Sequence, residues 1–218
     1  MVKCEKYPIA PQSLAIEKKK GKNGKYNMPD VMSQLAKDFS KKCYICELGD
    51  IQDPEVEHLV PHHNSQDIDA KFDWNNLFLS CRHCNGIKNH TKYDGKIINC
   101  CVDDPEEHLH CQYNNGDVSV VSLDEDEKSI MTAELINEVF NLKNTGTRVY
   151  TSEFRMEKLK EEMLLLINTL IDYKKAPSTG LKRKLGIMLS RNRAFASFKR
   201  DYVRDKRAKY TDLHIFIQ

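Results

Sequence analysis

Two Cys-x-x-Cys pairs, Cys43–Cys46 and Cys81–Cys84, constrain this chain more than any other feature. Four thiolates in two short pairs, about 35 residues apart, can close a tetrahedral shell around Zn2+. Such a shell has no open coordination position, so the site is structural. The chain opens on the polar run Met1-Val2-Lys3-Cys4-Glu5-Lys6 and has no apolar stretch able to cross a bilayer. A cytoplasmic setting without a membrane partner is therefore expected, where paired cysteines serve metal ligation better than disulfides.

Between the pairs, Glu55-Val56-Glu57-His58-Leu59-Val60 alternates polar and apolar residues, and Pro61 cannot donate to a sheet ladder. A short strand should end near His58, where a side chain can face a cleft. Asn75-Asn76-Leu77-Phe78-Leu79-Ser80 reads as a turn and then a strand, and Asn85-Gly86-Ile87-Lys88-Asn89 as the opening of a helix. Strand, strand, helix and metal make one compact unit, and the fold class is α+β.

These residues resemble the HNH endonuclease family, whose ββα-metal core carries an acid-His or His-His pair, a mid-motif Asn and a final His or Asn. Glu57-His58, Asn76 and Cys84-Asn85-Gly86-Ile87-Lys88 follow that order and spacing. The resemblance implies that His58 is the general base, that Glu57 and Asn85 hold a catalytic divalent cation, and that Asn76 braces the hairpin so as to orient His58. Two departures are present, Glu in place of the commoner Asp or His and Asn in place of the final His. Both leave oxygen ligands, which favour Mg2+ or Mn2+. Asn89, one helical turn after Asn85, is a candidate third ligand or else an exposed helix residue. The chemistry is that of phosphodiester hydrolysis: a base takes a proton from water and a hard cation neutralises charge growing on the phosphate.

A wider likeness involves Tyr7-Pro8-Ile9-Ala10-Pro11-Gln12-Ser13-Leu14, Lys71-Phe72-Asp73-Trp74-Asn75-Asn76-Leu77, Asn144-Thr145-Gly146 and Ser190-Arg191 through Phe195-Ala196-Ser197-Phe198-Lys199-Arg200. These stretches are similar to bacterial HNH proteins encoded beside ATPases, the nuclease subunits of Septu-like antiphage systems. The likeness implies DNA as substrate and an ABC-type ATPase as partner. A rival of another class is a catalytically idle zinc module acting as adaptor or DNA-binding subunit. That rival has no need of the Glu57-His58 pair.

Other histidines carry less. His62 and His63 follow Pro61 in a polar loop, open to solvent or to phosphate, and His83 reads as a turn residue inside the second cysteine pair. Cys100, Cys101, His108, His110 and Cys111 match no regular ligand spacing.

Composition divides the chain into an HNH domain over residues 1–125, which holds every cysteine, and a helical domain over 126–218. Thr132 to Phe140 reads as a helix, ended by Asn144-Thr145-Gly146. Met156, Leu159, Met163, Leu166, Ile167, Leu170 and Tyr173 mark a long amphipathic helix with Ser152 as candidate N-cap. Leu181 to Leu189 gives another helix, and Phe195, Phe198 and Tyr202 share one face of a last one, making a small helical bundle.

The net charge of +2 hides segregation. Leu181 to Tyr210 carries eleven Lys/Arg against two Asp, whereas Asp103 to Glu127 carries nine Asp/Glu and no Lys/Arg. The basic helical faces are open to three readings: solvated face, phosphate surface, or partner-docking surface. On the second, Lys88, Lys199, Arg200 and Arg204 are the candidate nucleic-acid contacts. Lys18-Lys19-Lys20-Gly21-Lys22-Asn23-Gly24-Lys25 reads as a flexible basic loop of the kind that tracks a phosphate backbone or serves solubility alone. No Gly-x-x-x-x-Gly-Lys-Ser/Thr phosphate loop is present, so ATP-coupled behaviour would need a second protein.

Overall fold

The computed structural model of the chain describes residues 1–88, 91–114, 116–141 and 147–218. Two helices come first, α1 (Gln12–Lys18) and α2 (Pro29–Asp38). Pro29 opens α2 at the position where a missing N–H costs nothing, and Val31 and Leu35 turn inward from it. Next come β1 (Pro54–His58), α3 (Ile68–Phe72), β2 (Leu77–Cys81) and α4 (Arg82–Lys88). β1 and β2 form an antiparallel hairpin with Pro54 opposite Cys81 and His58 opposite Leu77. Every position of β2 is buried, because α2 and α4 both pack on it. The strand–strand–helix unit expected around the zinc ligands is thus present, and the fold is α+β.

A second antiparallel hairpin follows the short α5 (Pro105–His108). Its strands are β3 (Leu109–Asn114) and β4 (Asp117–Ser122), with Leu109 opposite Ser122. It lies in the acid-rich stretch, where charge count masks a two-residue period: Val118 and Val120 are buried and their neighbours are not. The chain ends in α6 (Glu127–Asn141), α7 (Thr147–Lys175), α8 (Thr179–Met188) and α9 (Ala196–Asp205). α6 lies along β4, where Asn137 and Asn141 donate to the Val120 and Val118 carbonyls at 2.7 and 3.0 Å. α9 packs on β3, and Asp201 accepts from the Cys111 N–H at 2.8 Å. One buried apolar cluster runs from Met1 to Ile217, across the boundary that composition suggests at residue 125. Ser152 is not an N-cap: α7 begins earlier, at Thr147, and the buried Ser152 hydroxyl donates to the Val139 carbonyl at 3.2 Å. Asn144-Thr145-Gly146, the expected breaker, lies outside the described residues.

The two charged runs meet inside the fold. Glu106 accepts from Arg191 Nε (2.7 Å), Arg200 Nε (2.5 Å) and Arg204 Nη2 (2.7 Å), while Asp104 pairs with Arg191 and Asp201 with Arg204. Arg200 also donates to the Leu189 and Phe216 carbonyls, and Lys199 pairs with Glu162 at 2.8 Å. Lys199 and Arg200 are 1% and 2% exposed, so neither is available to a polyanion. The expectation that Lys199 and Arg200 line a nucleic-acid surface is corrected on this ground, while Arg204 is half-buried with its guanidinium on Glu106 and Asp201. A buried guanidinium needs its donors filled, and here carboxylates and carbonyls of the same chain fill them. Glu106→Ala should therefore destabilise the protein by about 3–5 kcal/mol, the cost of orphaning buried charge. Urea unfolding measures this, with the exposed Arg207→Ala expected to change stability by no more than about 0.5 kcal/mol.

Candidate functional site

β2 ends on Cys81 and α4 carries Cys84 in its first turn, which fixes one cysteine pair on a rigid corner. The loop holding Cys43 and Cys46 is tied to that corner by Tyr44 N–H donating to the Leu79 carbonyl at 3.0 Å. All four sulfurs are buried and lie within 4.8 Å of one another, with Cys46 and Cys81 Sγ 4.0 Å apart. A tetrahedral Zn–S shell with bonds of about 2.3 Å separates its sulfurs by about 3.8 Å, so the four can hold a zinc ion. Burial pushes the Cys46 and Cys84 thiols well above the usual range, whereas hydrogen bonds from the neighbouring thiols hold Cys81 far below it. Among the described residues this is the one such cluster of metal-ligating side chains, and Cys100, Cys101, His108, His110 and Cys111 form no second one.

Sequence reasoning missed Arg155, which reaches from α7 to give Nη2 to Cys81 Sγ at 2.9 Å while only 4% exposed. Its guanidinium offsets the net negative charge of a zinc ion with four thiolates. No local signal marks it, since 74 positions separate it from Cys81.

His58 closes β1 with its ring against Tyr26 and His62, both at centroid distances of 4.5 Å and nearly perpendicular. Its Nε2 lies 3.0 Å from the Lys71 carbonyl. A carbonyl only accepts, so the ring proton sits on Nε2 and Nδ1 keeps its lone pair. Nδ1 has no partner among the described residues, and it is not one of the buried polar atoms left unsatisfied, so it reaches solvent. Burial pushes the His58 pKa down to about 4, against the opposing pull of the Lys71 carbonyl, and the ring is neutral at ordinary pH. Asn76 holds the chain that leaves the strand. It accepts from Val60 N–H and donates to the Val60 and Ala70 carbonyls, all at 2.8–2.9 Å, while its own carbonyl takes the Leu59 N–H.

The other expected site residues are placed differently. Glu57 and Glu55 turn to the α4 face of β1, opposite to His58, as alternate strand positions must. Glu57 is 4% exposed and both its oxygens are taken, one by Tyr44 Oη at 2.5 Å and one by Lys88 Nζ at 2.6 Å. Burial raises its pKa against the pull of Lys88. Lys88 is also buried, and its remaining donors go to the His58 and Leu59 carbonyls at 3.0 and 3.1 Å. Asn85 gives its amide to Glu55 at 2.6 Å. The expectation of one Glu57–His58–Asn85 cluster is therefore revised. Glu57 and Lys88 form an internal brace on the His58 backbone, so Lys88 is no nucleic-acid contact, and the oxygen donors left on this face belong to Glu55 and Asn85, which are bonded to each other. Asn89 lies outside the described residues. Glu55 and Asn85 line a cleft of about 1130 Å³ against α7, which also exposes Tyr150 and Phe154. His83 turns inward, with Nε2 at 3.0 Å from the Val139 carbonyl.

The lysine run before Tyr26 is not a free loop. Lys25 N–H donates to the buried Glu17 carboxylate, Lys71 Nζ donates to the Lys22 carbonyl at 3.0 Å, and a Cβ at Gly24 would fall 2.1 Å from the Glu17 carbonyl oxygen. Glycine is required for that close return. The run is folded beside His58, and Lys18, Lys19, Lys20, Lys22 and Lys25 are exposed around it.

No family model matches the chain. Over 115 residues it is 30% identical to Septu protein PtuB of Bacillus thuringiensis, a match covering 48% of this chain and 44% of that protein. The chain thus spans less than half the length of that relative. No helix among the described residues is long and apolar enough to cross a membrane.

Two outcomes follow from this geometry. Arg155→Ala should weaken zinc binding by roughly 10- to 100-fold, the usual effect of removing a group that supports a ligand, as read by competition with a chromophoric chelator. The folded His58 pKa of about 4 lies below the free value of 6.5, so the unfolded chain takes up the extra proton between them. Stability is full above 6.5 and should fall as pH drops toward 4, and His58→Gln should remove that slope in urea titrations across the window.

Proposed function

We propose that this protein is an HNH-type endonuclease that hydrolyses DNA phosphodiester bonds in Septu-like antiphage defence, with His58 as general base. The observation that carries the reading is the His58 ring, neutral, locked in one tautomer by the Lys71 carbonyl, with Nδ1 open. A buried histidine serving packing alone has no need of an unpartnered nitrogen facing solvent. The exposed lysines from Lys18 to Lys25 support the same reading, because they set positive charge where a phosphate backbone would pass. The likeness to the Septu protein supports the defence role, and an ABC-type ATPase is the expected partner, since this chain has no nucleotide-binding loop of its own.

In the reaction, a water oxygen attacks phosphorus as one of its protons passes to His58 Nδ1. The bond from phosphorus to the leaving oxygen breaks, and that oxygen takes a proton from solvent. The products are a phosphomonoester end and a hydroxyl end, and His58 returns its proton to water. Asn76 and the Glu57–Lys88 brace hold the ring's backbone through these steps. Glu55 and Asn85 offer oxygen donors of the kind that would fit Mg2+ or Mn2+, but they line the cleft on the face of β1 opposite to His58, so no step at His58 runs through a cation held there.

His58→Ala should lower plasmid cleavage in Mg2+ or Mn2+ by roughly 10²–10⁴-fold with the protein still folded and zinc-loaded. Wild-type rates in that variant would overturn the mechanism. Absence of cleavage of DNA by the wild-type chain, with and without a co-purified ATPase, would leave a zinc-built adaptor instead.

A further inference from the structure

The turn after β1 holds a second imidazole beside the first. His63, Asn64 and Ser65 have φ of +48°, +55° and +64°, three consecutive left-handed residues with side chains. That conformation is strained for residues with a Cβ and persists only where its surroundings hold it. Here Gln66 and Asp67 N–H groups donate back to the His62 carbonyl at 3.1 and 3.2 Å, and Ser65 N–H donates to His62 Nδ1 at 2.8 Å. The last bond decides the tautomer. With Nδ1 filled by a donor, the His62 ring carries its proton on Nε2, across the ring from the turn. Nε2 has no partner among the described residues and is not buried.

His62 and His58 thus have opposite free nitrogens, an N–H on one and a lone pair on the other, on rings 4.5 Å apart. The Asp67 side chain that closes the turn accepts from Ala70 N–H at 2.8 Å, and the helix it starts, α3, supplies the Lys71 carbonyl that fixes His58. One strained segment therefore sets both rings. A water molecule and a phosphate oxygen need such a pair, the water giving a proton to a lone pair and the anion accepting an N–H.

We propose that His62 Nε2–H binds a non-bridging oxygen of the phosphodiester whose attacking water is activated by His58, and that the left-handed turn exists to present it. This rests on the nuclease reading above. His62 is then a phosphate-binding residue, and its ligand class is a phosphodiester anion.

The test compares wild type, His58→Ala, His62→Ala and His62→Gln of the full chain, with thermal unfolding as the control for folding. His62→Ala should lower kcat/KM on DNA by roughly 10- to 100-fold, the loss of one hydrogen bond to a charged acceptor. His62→Gln, which keeps an N–H donor, should recover much of that. Imidazole 15N NMR at neutral pH should show His62 protonated on Nε2 alone, and dimethyl phosphate should shift that resonance in the His58→Ala variant. Wild-type kcat/KM in His62→Ala while His58→Ala is inactive would overturn the His62 role and leave the nuclease reading intact. Failure of the wild-type chain to cleave would remove that reading, and the NMR titration would still decide the anion site: no shift with dimethyl phosphate overturns it.

Discussion

The four-sulfur cluster is the constraint on which the rest depends. It joins the loop at Cys43 and Cys46 to the corner between β2 and α4, and so closes the chain around the hairpin that ends on His58. Zinc binding to such sites in small peptides is worth about 10–16 kcal/mol at neutral pH, as large as the whole net stability of an ordinary domain, about 5–15 kcal/mol. The metal can therefore dominate folding of this half. Arg155 extends its reach, since the guanidinium that balances the thiolates also anchors α7 to the ββα unit.

Electrostatics in this protein is mostly internal. The acidic stretch and the basic C-terminal helices consume each other around Glu106 and Asp201, and the Glu57–Lys88 pair does the same beneath the hairpin. The side chains of Glu106, Asp201, Arg200, Glu57 and Lys88 are buried, where an unmatched charge would be costly. Near His58 the exposed positive charge is the lysine run of the N-terminal segment, in which Lys18 and Lys20 are paired with Asp69 and Glu17. It stands beside His58 because Glu17, Gly24 and Lys71 fold it there.

The His58 environment shows how backbone groups can set side-chain chemistry. Two ring nitrogens meet main-chain atoms, Lys71 O and Ser65 N, and those contacts leave one free lone pair and one free N–H. Burial keeps His58 unprotonated across the neutral range. Neither imidazole needs a carboxylate partner to be in the state described.

The zinc ligands, the strand that ends at His58, the partner strand and the α+β class were legible in the sequence, because Cys-x-x-Cys spacing, strand alternation and proline are local signals. So were the apolar faces of α6, α8 and α9. The β3–β4 hairpin was hidden by the acidic residues that flank it, at 103–107 and 124–127, and the start of α7 by a serine that resembles a cap. What only the tertiary structure decided was partnership. Whether Glu57 holds a metal or an ammonium, whether Arg200 faces solvent or Glu106, and which nitrogen of His58 has the proton all depend on groups brought together from distant positions. Residue type sets what a side chain can do, and the neighbours that burial assigns to it select which of those things it does.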